Sequence, residues 1–415
     1  VTTYDPPRPD PPARLPWLVW ALLIMSLVAW RRGVYFSGGV DPIVIAKAAV
    51  GGVALMLAYA ALPEAAHRAR LGARTPLFVL AYVALSLLGA WAGESLLASA
   101  VLAVRVLMVL ATVGLLVASF PAAVLLRSML TTMGVLGVVI GLTGLGSFAA
   151  EGRLSGGVPP LAPNQLALLY TAPLLGLVWQ LLHRSATAWQ LAGVVVLGAL
   201  TWMTGSRTGM LALALACLVV IVTAPRLKVG VIMVTVMSVP TLFFVAAFTP
   251  ILATYFGRGG AKNLTTLNSR TIAWEAAFSA GNDFWNKWFG SGMAVKTISV
   301  TGTYWDTQVL DSTWVSVFVQ GGIVGITLLA MWSLCTLLSA GSVRVEHRSL
   351  WLALVILVLI RSAVETGLFD SYVLFVVMLL PALVAERRTS EVAASASASP
   401  SSSPQTMSAS RWRPR

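Results

Sequence analysis

The sequence predicts an all-α polytopic membrane protein: about twelve transmembrane helices with one large extracytoplasmic loop containing short helices. Three observations carry that expectation. Of 415 residues 58% are hydrophobic and only 10% charged, with a mean hydropathy of +0.84, far from the balance of a soluble domain. The apolar runs are continuous and close to the roughly 20 residues that cross a bilayer, and they lack the alternation of barrel strands. Backbone polar groups in lipid must be satisfied within their own segment, which selects helices. Last, one long polar segment, 250–312, carries Arg258, Lys262, Arg270, Asp283, Lys287, Lys296, Asp306 and Asp311. Loops beyond about 12–15 residues are usually functional or disordered; Trp274, Phe278, Phe284, Trp285, Trp288, Phe289, Tyr304 and Trp305 favour a folded cap.

In chain order, residues 1–15 are rich in proline and read as a disordered cytoplasmic tail. Spans are expected at 16–30, 42–62, 76–92, 95–119, 124–149, 164–182, 189–205, 207–224, 229–249, 313–340, 350–369 and 371–385. The first follows Arg8 and Arg14 like a secretory signal, yet Val28-Ala29-Trp30 before Arg31 and Arg32 offers no small-residue cleavage site, so it is kept as a helix. In the fifth, Gly134, Gly137, Gly141 and Gly144 recur at three- and four-residue steps, which lets a neighbouring helix approach closely. The transmembrane domain thus covers 16–388, and the Ala/Ser/Pro-rich 389–415 is a second disordered tail.

Orientation follows from Lys and Arg in the short loops, which favour the cytoplasm. His67-Arg68-Ala69-Arg70 with Arg74, Arg127, His183-Arg184, Arg226 with Lys228, Arg344 with Arg348, and Arg387-Arg388 all fall on one side of a twelve-helix trace. Both termini are then cytoplasmic and the 250–312 loop lies outside. Arg31, Arg32, Arg153, Arg207, Arg258, Lys262 and Arg270 fall on the outer side against the rule, which invites a functional reading.

The net charge of +13 shows no closely spaced basic stripe with interleaved aromatics, so nucleic acid is not an expected partner. Topology signals and anionic lipid account for the charge. Cys217 and Cys335 sit alone in expected spans, and His67, His183 and His347 are far apart without ligand spacing. No metal site and no cofactor are expected, and the oligomeric state is open.

Four polar islands remain at the outer face. Arg153-Leu154-Ser155-Gly156-Gly157 runs to Pro163-Asn164, where Asn164 suits a helix cap. Gly205-Ser206-Arg207-Thr208-Gly209 is a tight reversal whose Arg either snorkels or forks phosphate oxygens. In Asn268-Ser269-Arg270, Arg270 and Trp274 share a helix face, with Gly281 as the stop; the helix is an interfacial anchor or presents Arg270 to a ligand. Asp311-Ser312-Thr313-Trp314 leads into Gln320-Gly321-Gly322-Ile323-Val324-Gly325; as a simple N-cap, Asp311 needs no further role.

In order and spacing these islands resemble the O-antigen ligase and Wzy-type polymerase superfamily of envelope glycosyltransferases. The resemblance rests on Arg153, Gly156, Pro163 and Asn164; on Gly205-Ser206-Arg207; on Arg270 with Trp274; on Gly290-Ser291-Gly292; and on Gly322 with Gly325. It departs at Asp311, where many ligases carry a His, which leaves ligase and polymerase both open. The resemblance implies a multi-pass protein of the bacterial inner membrane with an extracytoplasmic active site. It implies a polyprenyl-diphosphate-linked glycan donor, a glycan or glycolipid acceptor, and inverting, metal-independent transfer with no cofactor. Arg207, Arg270 and Arg153 would stabilise the diphosphate, Asp311 would take the acceptor proton, and Asn164, Ser206 and Trp274 would support them. The competing class is a transporter or flippase of lipid-linked glycans, with Arg105, Arg361, Glu365 and Asp370 along its pathway. The paired short or broken helices that point to transporters are not seen in the sequence.

Overall fold

A computed structural model describes residues 14–31, 36, 41–62, 71–93, 95–183, 187–223, 270–279, 283–300, 306–343 and 345–398. The expected ninth span, 229–249, and the start of the polar loop lie outside them, as do residues 1–13 and 399–415 of the expected tails. Among the described residues six helices are long and apolar enough to cross a membrane: α2 (Pro42–Ala60), α3 (Arg74–Ala92), α4 (Leu96–Ser119), α5 (Ala122–Thr143), α7 (Pro163–His183) and α12 (Thr313–Gly341). Shorter apolar helices join them: α1 (Leu15–Leu27), α8 (Ala188–Thr204) and α9 (Arg207–Thr223). The remaining helices are α6 (Leu145–Glu151), α10 (Arg270–Ser279), α11 (Phe284–Phe289), α13 (Val345–Ser362) and α14 (Val373–Ala398).

Local chemistry sets several boundaries. Asp41 caps α2 by accepting the Ile43 amide at 2.9 Å, with Pro42 at the first helical position. Thr187 and Gln190 form a reciprocal capping box at the start of α8. The expected fifth span is two helices rather than one. Gly144 separates them because the Ser155–Gly157 segment lies against it; a Cβ there would stand 1.8 Å from the Ser155 carbonyl oxygen. The other glycines of that span pack as the small-residue spacing implies, Gly137 and Gly141 against Tyr170, whose hydroxyl donates to the Gly137 carbonyl at 2.9 Å. The expected eleventh span stops early, at Ser362, and residues 363–372 form an irregular turn in which Phe369 holds a positive φ of 55°. The last helix runs past 388 to Ala398, in keeping with the helix propensity of its alanines.

The first half of α14 is the centre of the molecule. From Val373 to Ala385 it is buried on nearly every side, with α13, α12, α4 and α3 around it. An evenly apolar helix belongs in that position. At one end, buried Glu386 accepts the Thr75 amide at 2.9 Å and its hydroxyl at 2.5 Å, placing a carboxylate at the N-terminus of α3. Arg387 donates to the Val117 and Phe120 carbonyls, placing a cation at the C-terminus of α4.

The described part of the polar loop holds α10, α11 and a two-stranded antiparallel hairpin, β1 (Thr297–Ser299) and β2 (Thr307–Val309), which hydropathy did not anticipate. Its anchor is a break in α12. Gly322 takes φ 63°, and the Gly290–Gly292 turn inserts there, so that the Ser291 and Gly292 amides donate to the Val319 and Gln320 carbonyls at 2.9 and 3.0 Å. A Cβ on Gly290 would lie 2.3 Å from backbone atoms of Gln320 and Gly321, and one on Gly322 2.3 Å from Trp288. The resemblance-bearing glycines of the loop and of the helix therefore serve one close backbone contact.

Candidate active site

Where the cap meets the helices, a cavity of about 270 Å³ is lined by Arg270 at the start of α10, Asp311 ahead of α12, Glu365 from the irregular turn, and Asn164 and Gln165 of α7. Leu27, Leu168 and Leu169 form part of its apolar wall. Arg270 Nε lies 3.5 Å from Asp311 Oδ2, looser than the roughly 2.7–2.9 Å of a tight charge-assisted bond. Arg270 is mostly buried, whereas 47% of the Asp311 side chain is accessible. Burial pushes the Asp311 carboxyl above the ordinary aspartate range, and Arg270 pulls it part of the way back.

Asp311 is not the cap of α12. Ser312 holds that position, without a side-chain bond, and the Thr313 amide and hydroxyl both donate to the Glu365 carbonyl, at 3.1 and 2.7 Å. With the helix end satisfied from another segment, Asp311 sits one residue outside it and faces Arg270. Glu365 is committed differently: Arg361 Nη2 donates to Oε2 at 2.6 Å and the Thr208 hydroxyl to Oε1 at 3.2 Å. Fully buried Arg361 also donates to the Asn164 carbonyl at 2.6 Å. The result is an alternation of charge: Asp311, Arg270 and Glu365 line the cavity, and Arg361, not itself a lining residue, pairs with Glu365.

The other expected site residues fall in three places. Asn164 lines the cavity, but α7 begins at Pro163, so it lies within the first turn rather than at the cap, and its backbone carbonyl serves Arg361. Proline at the first helical position, with φ already set, starts that helix without a capping amide. The Gly205–Gly209 turn is largely accounted for by structure. Gly205 ends α8 with φ 62°, Ser206 Oγ accepts the Gly209 amide at 3.2 Å, Thr208 holds Glu365, and Gly209 makes room for Arg361, whose Nη1 would stand 2.8 Å from a Cβ there. Arg207, the first residue of α9 and next to Thr208, is not among the cavity's lining residues. Arg153 is also off the cavity, its Nε donating to the Thr204 carbonyl at the C-terminus of α8 at 3.2 Å. Trp274 packs with Ala277, Leu310 and Val315, bracing α10 against α12 rather than facing the cavity. Asn268 and Gly281 lie outside the described residues.

Sequence reasoning missed the part of Thr208, and it named Arg361 and Glu365 only for the competing transporter class; the structure pairs them with each other. Their four-residue spacing was the available signal.

The fold and this site define a multi-pass helical membrane protein with a carboxylate–arginine cavity under a folded cap. Residues 192–330, about a third of the chain, match the family model described as O-antigen ligase. That segment contains Arg207, Arg270, Asp311 and the Gly290–Gly292 and Gly322–Gly325 elements, so the resemblance to the O-antigen ligase superfamily stands on a match as well as on motifs. No curated protein matches the chain.

Proposed function

We propose that the protein is a membrane glycosyltransferase of the O-antigen ligase or polymerase type. It takes a glycan from a polyprenyl-diphosphate-linked donor and passes it to a hydroxyl of a glycan or glycolipid at the outer face of the inner membrane. The observation that carries this reading is the meeting of Arg270 and accessible Asp311 in one cavity, within the segment that matches the ligase family.

In the proposed reaction the acceptor oxygen attacks the anomeric carbon from the face opposite the diphosphate. The new glycosidic bond forms as the bond to the bridging phosphate oxygen breaks, and that electron pair stays on the polyprenyl diphosphate. The hydroxyl proton passes to Asp311, which is better placed for it than Glu365, whose oxygens already accept from Arg361 and Thr208. Arg270 neutralises the leaving diphosphate, and Arg207 and Arg153, which do not line the cavity, add positive charge at longer range. Purified protein supplied with a polyprenyl-linked glycan and an acceptor glycan tests it. Mass analysis should find the joined glycan and free polyprenyl diphosphate; movement of the donor across vesicles without joining would refute it.

A further inference from the structure

A second cavity, of about 350 Å³, adjoins the first and shares Gln165 and Tyr372 with it. Four cations reach it from different elements: Arg31 after α1, Lys47 of α2, Arg105 of α4 and Lys296 of the cap. Three carboxylates face them, and two are taken. Asp41 lies 3.5 Å from Arg31 and Asp370 bonds Lys296, while Glu151 is exposed at the rim. Among the described residues Arg105 hydrogen-bonds only the Ser26 carbonyl, at 3.1 Å, and Lys47 makes no hydrogen bond or close ion pair; Asp370, already bonded to Lys296, is the carboxylate whose charge both of them share. A charge costs roughly 2.5–3.5 kcal/mol at the centre of a span on insertion scales and less towards its ends, so charges set within apolar helices are kept for pairing or for function.

We propose that Lys47 and Arg105 form an oxyanion subsite for a phosphate or carboxylate group on the acceptor glycan. The assignment to the acceptor rests on the transferase reading above. The donor diphosphate occupies the Arg270 side, and a joining reaction needs its second substrate in an adjacent chamber. Lys296 and Asp370 form the wall nearest the cap, and the Gln320 amide, which donates to the Val295 carbonyl at 2.9 Å, steadies the residue before Lys296.

The first experiment needs no catalysis. Inorganic phosphate is titrated into the full-length protein in phosphatidylcholine nanodiscs, with thermal unfolding as the readout. A saturable upward shift is expected in wild type and in Arg270→Lys, and its loss in Lys47→Gln and Arg105→Gln; Lys47→Met replaces any variant that does not fold. A shift that persists in the Lys47 and Arg105 variants overturns the site. The second arm is kinetic. Lys47→Gln should raise KM for an acidic acceptor about tenfold, the loss of one charge-assisted bond, with KM for the carboxyl-reduced or dephosphorylated acceptor and for the donor unchanged. A rise in donor KM alone overturns the assignment to the acceptor. If wild type joins no glycans at all, the transferase reading fails while the phosphate titration still decides whether the site exists.

Discussion

Asp311 combines an accessible carboxylate with a single loose arginine contact, and that combination sets its expected behaviour. Asp311→Asn keeps the size, and no helix cap is at stake because Ser312 and the Glu365 carbonyl serve the start of α12. Folded protein with a turnover reduced about 10²- to 10⁴-fold is expected, the usual contribution of a positioned base. Unchanged turnover would remove Asp311 from the reaction. Burial raises the Asp311 pKa, so the reactive anion is lost on acidification sooner than for an ordinary aspartate. The acidic limb of kcat/KM should therefore lie above the usual carboxylate range, and the limb should be missing from the residual activity of Asp311→Asn. Arginine geometry gives a second test at this scale. Arg270→Lys keeps the charge but loses the planar fork, so activity should fall at least tenfold with folded protein in the membrane. Arg207, which does not line the cavity, should tolerate lysine better than Arg270, and equal losses would bring it into the first rank of diphosphate contacts.

At the scale of elements, the junction of the Gly290–Gly292 turn with the break in α12 is the most constrained feature. Gly322→Ala would place a side chain at positive φ and 2.3 Å from Trp288 backbone. Backbone strain of that kind costs about 1–3 kcal/mol before any clash is counted. Lower thermal stability and faster proteolysis of the cap are expected, and a variant as stable as wild type would contradict the described docking. This junction also marks the limit of sequence reading. Hydropathy located most of the long helices among the described residues, because apolar character is written into each span locally, and glycine spacing found the small-residue face of α5. The break at Gly322 was legible only as a Gly-x-x-Gly pattern, since its cause is a loop about thirty residues earlier. Asp311 looked like a cap for the same reason: the group that actually serves the helix, the Glu365 carbonyl, is distant in sequence.

At the scale of the molecule, the distribution of Lys and Arg in the short loops leads us to propose that the cap lies outside and both termini in the cytoplasm. With Cys217 and Cys335 replaced, a cysteine at exposed Lys287 should react with a membrane-impermeant thiol reagent in intact cells, and one at exposed Arg127 only after lysis. The opposite pattern would invert the protein and displace the proposed active site from the outer face. The cap's anchoring has a further meaning for traffic through the site. Where α12 breaks, the Val319 and Gln320 carbonyls accept amides of the cap. Lifting the Gly290–Gly292 turn would strand both in a setting with little water, at about 1–3 kcal/mol for each unsatisfied group. That strap acts as a fixture rather than a lid, and on the proposed transferase reading a lipid-borne donor is expected to come in sideways, between helices, with its sugars passing around the strap rather than under it.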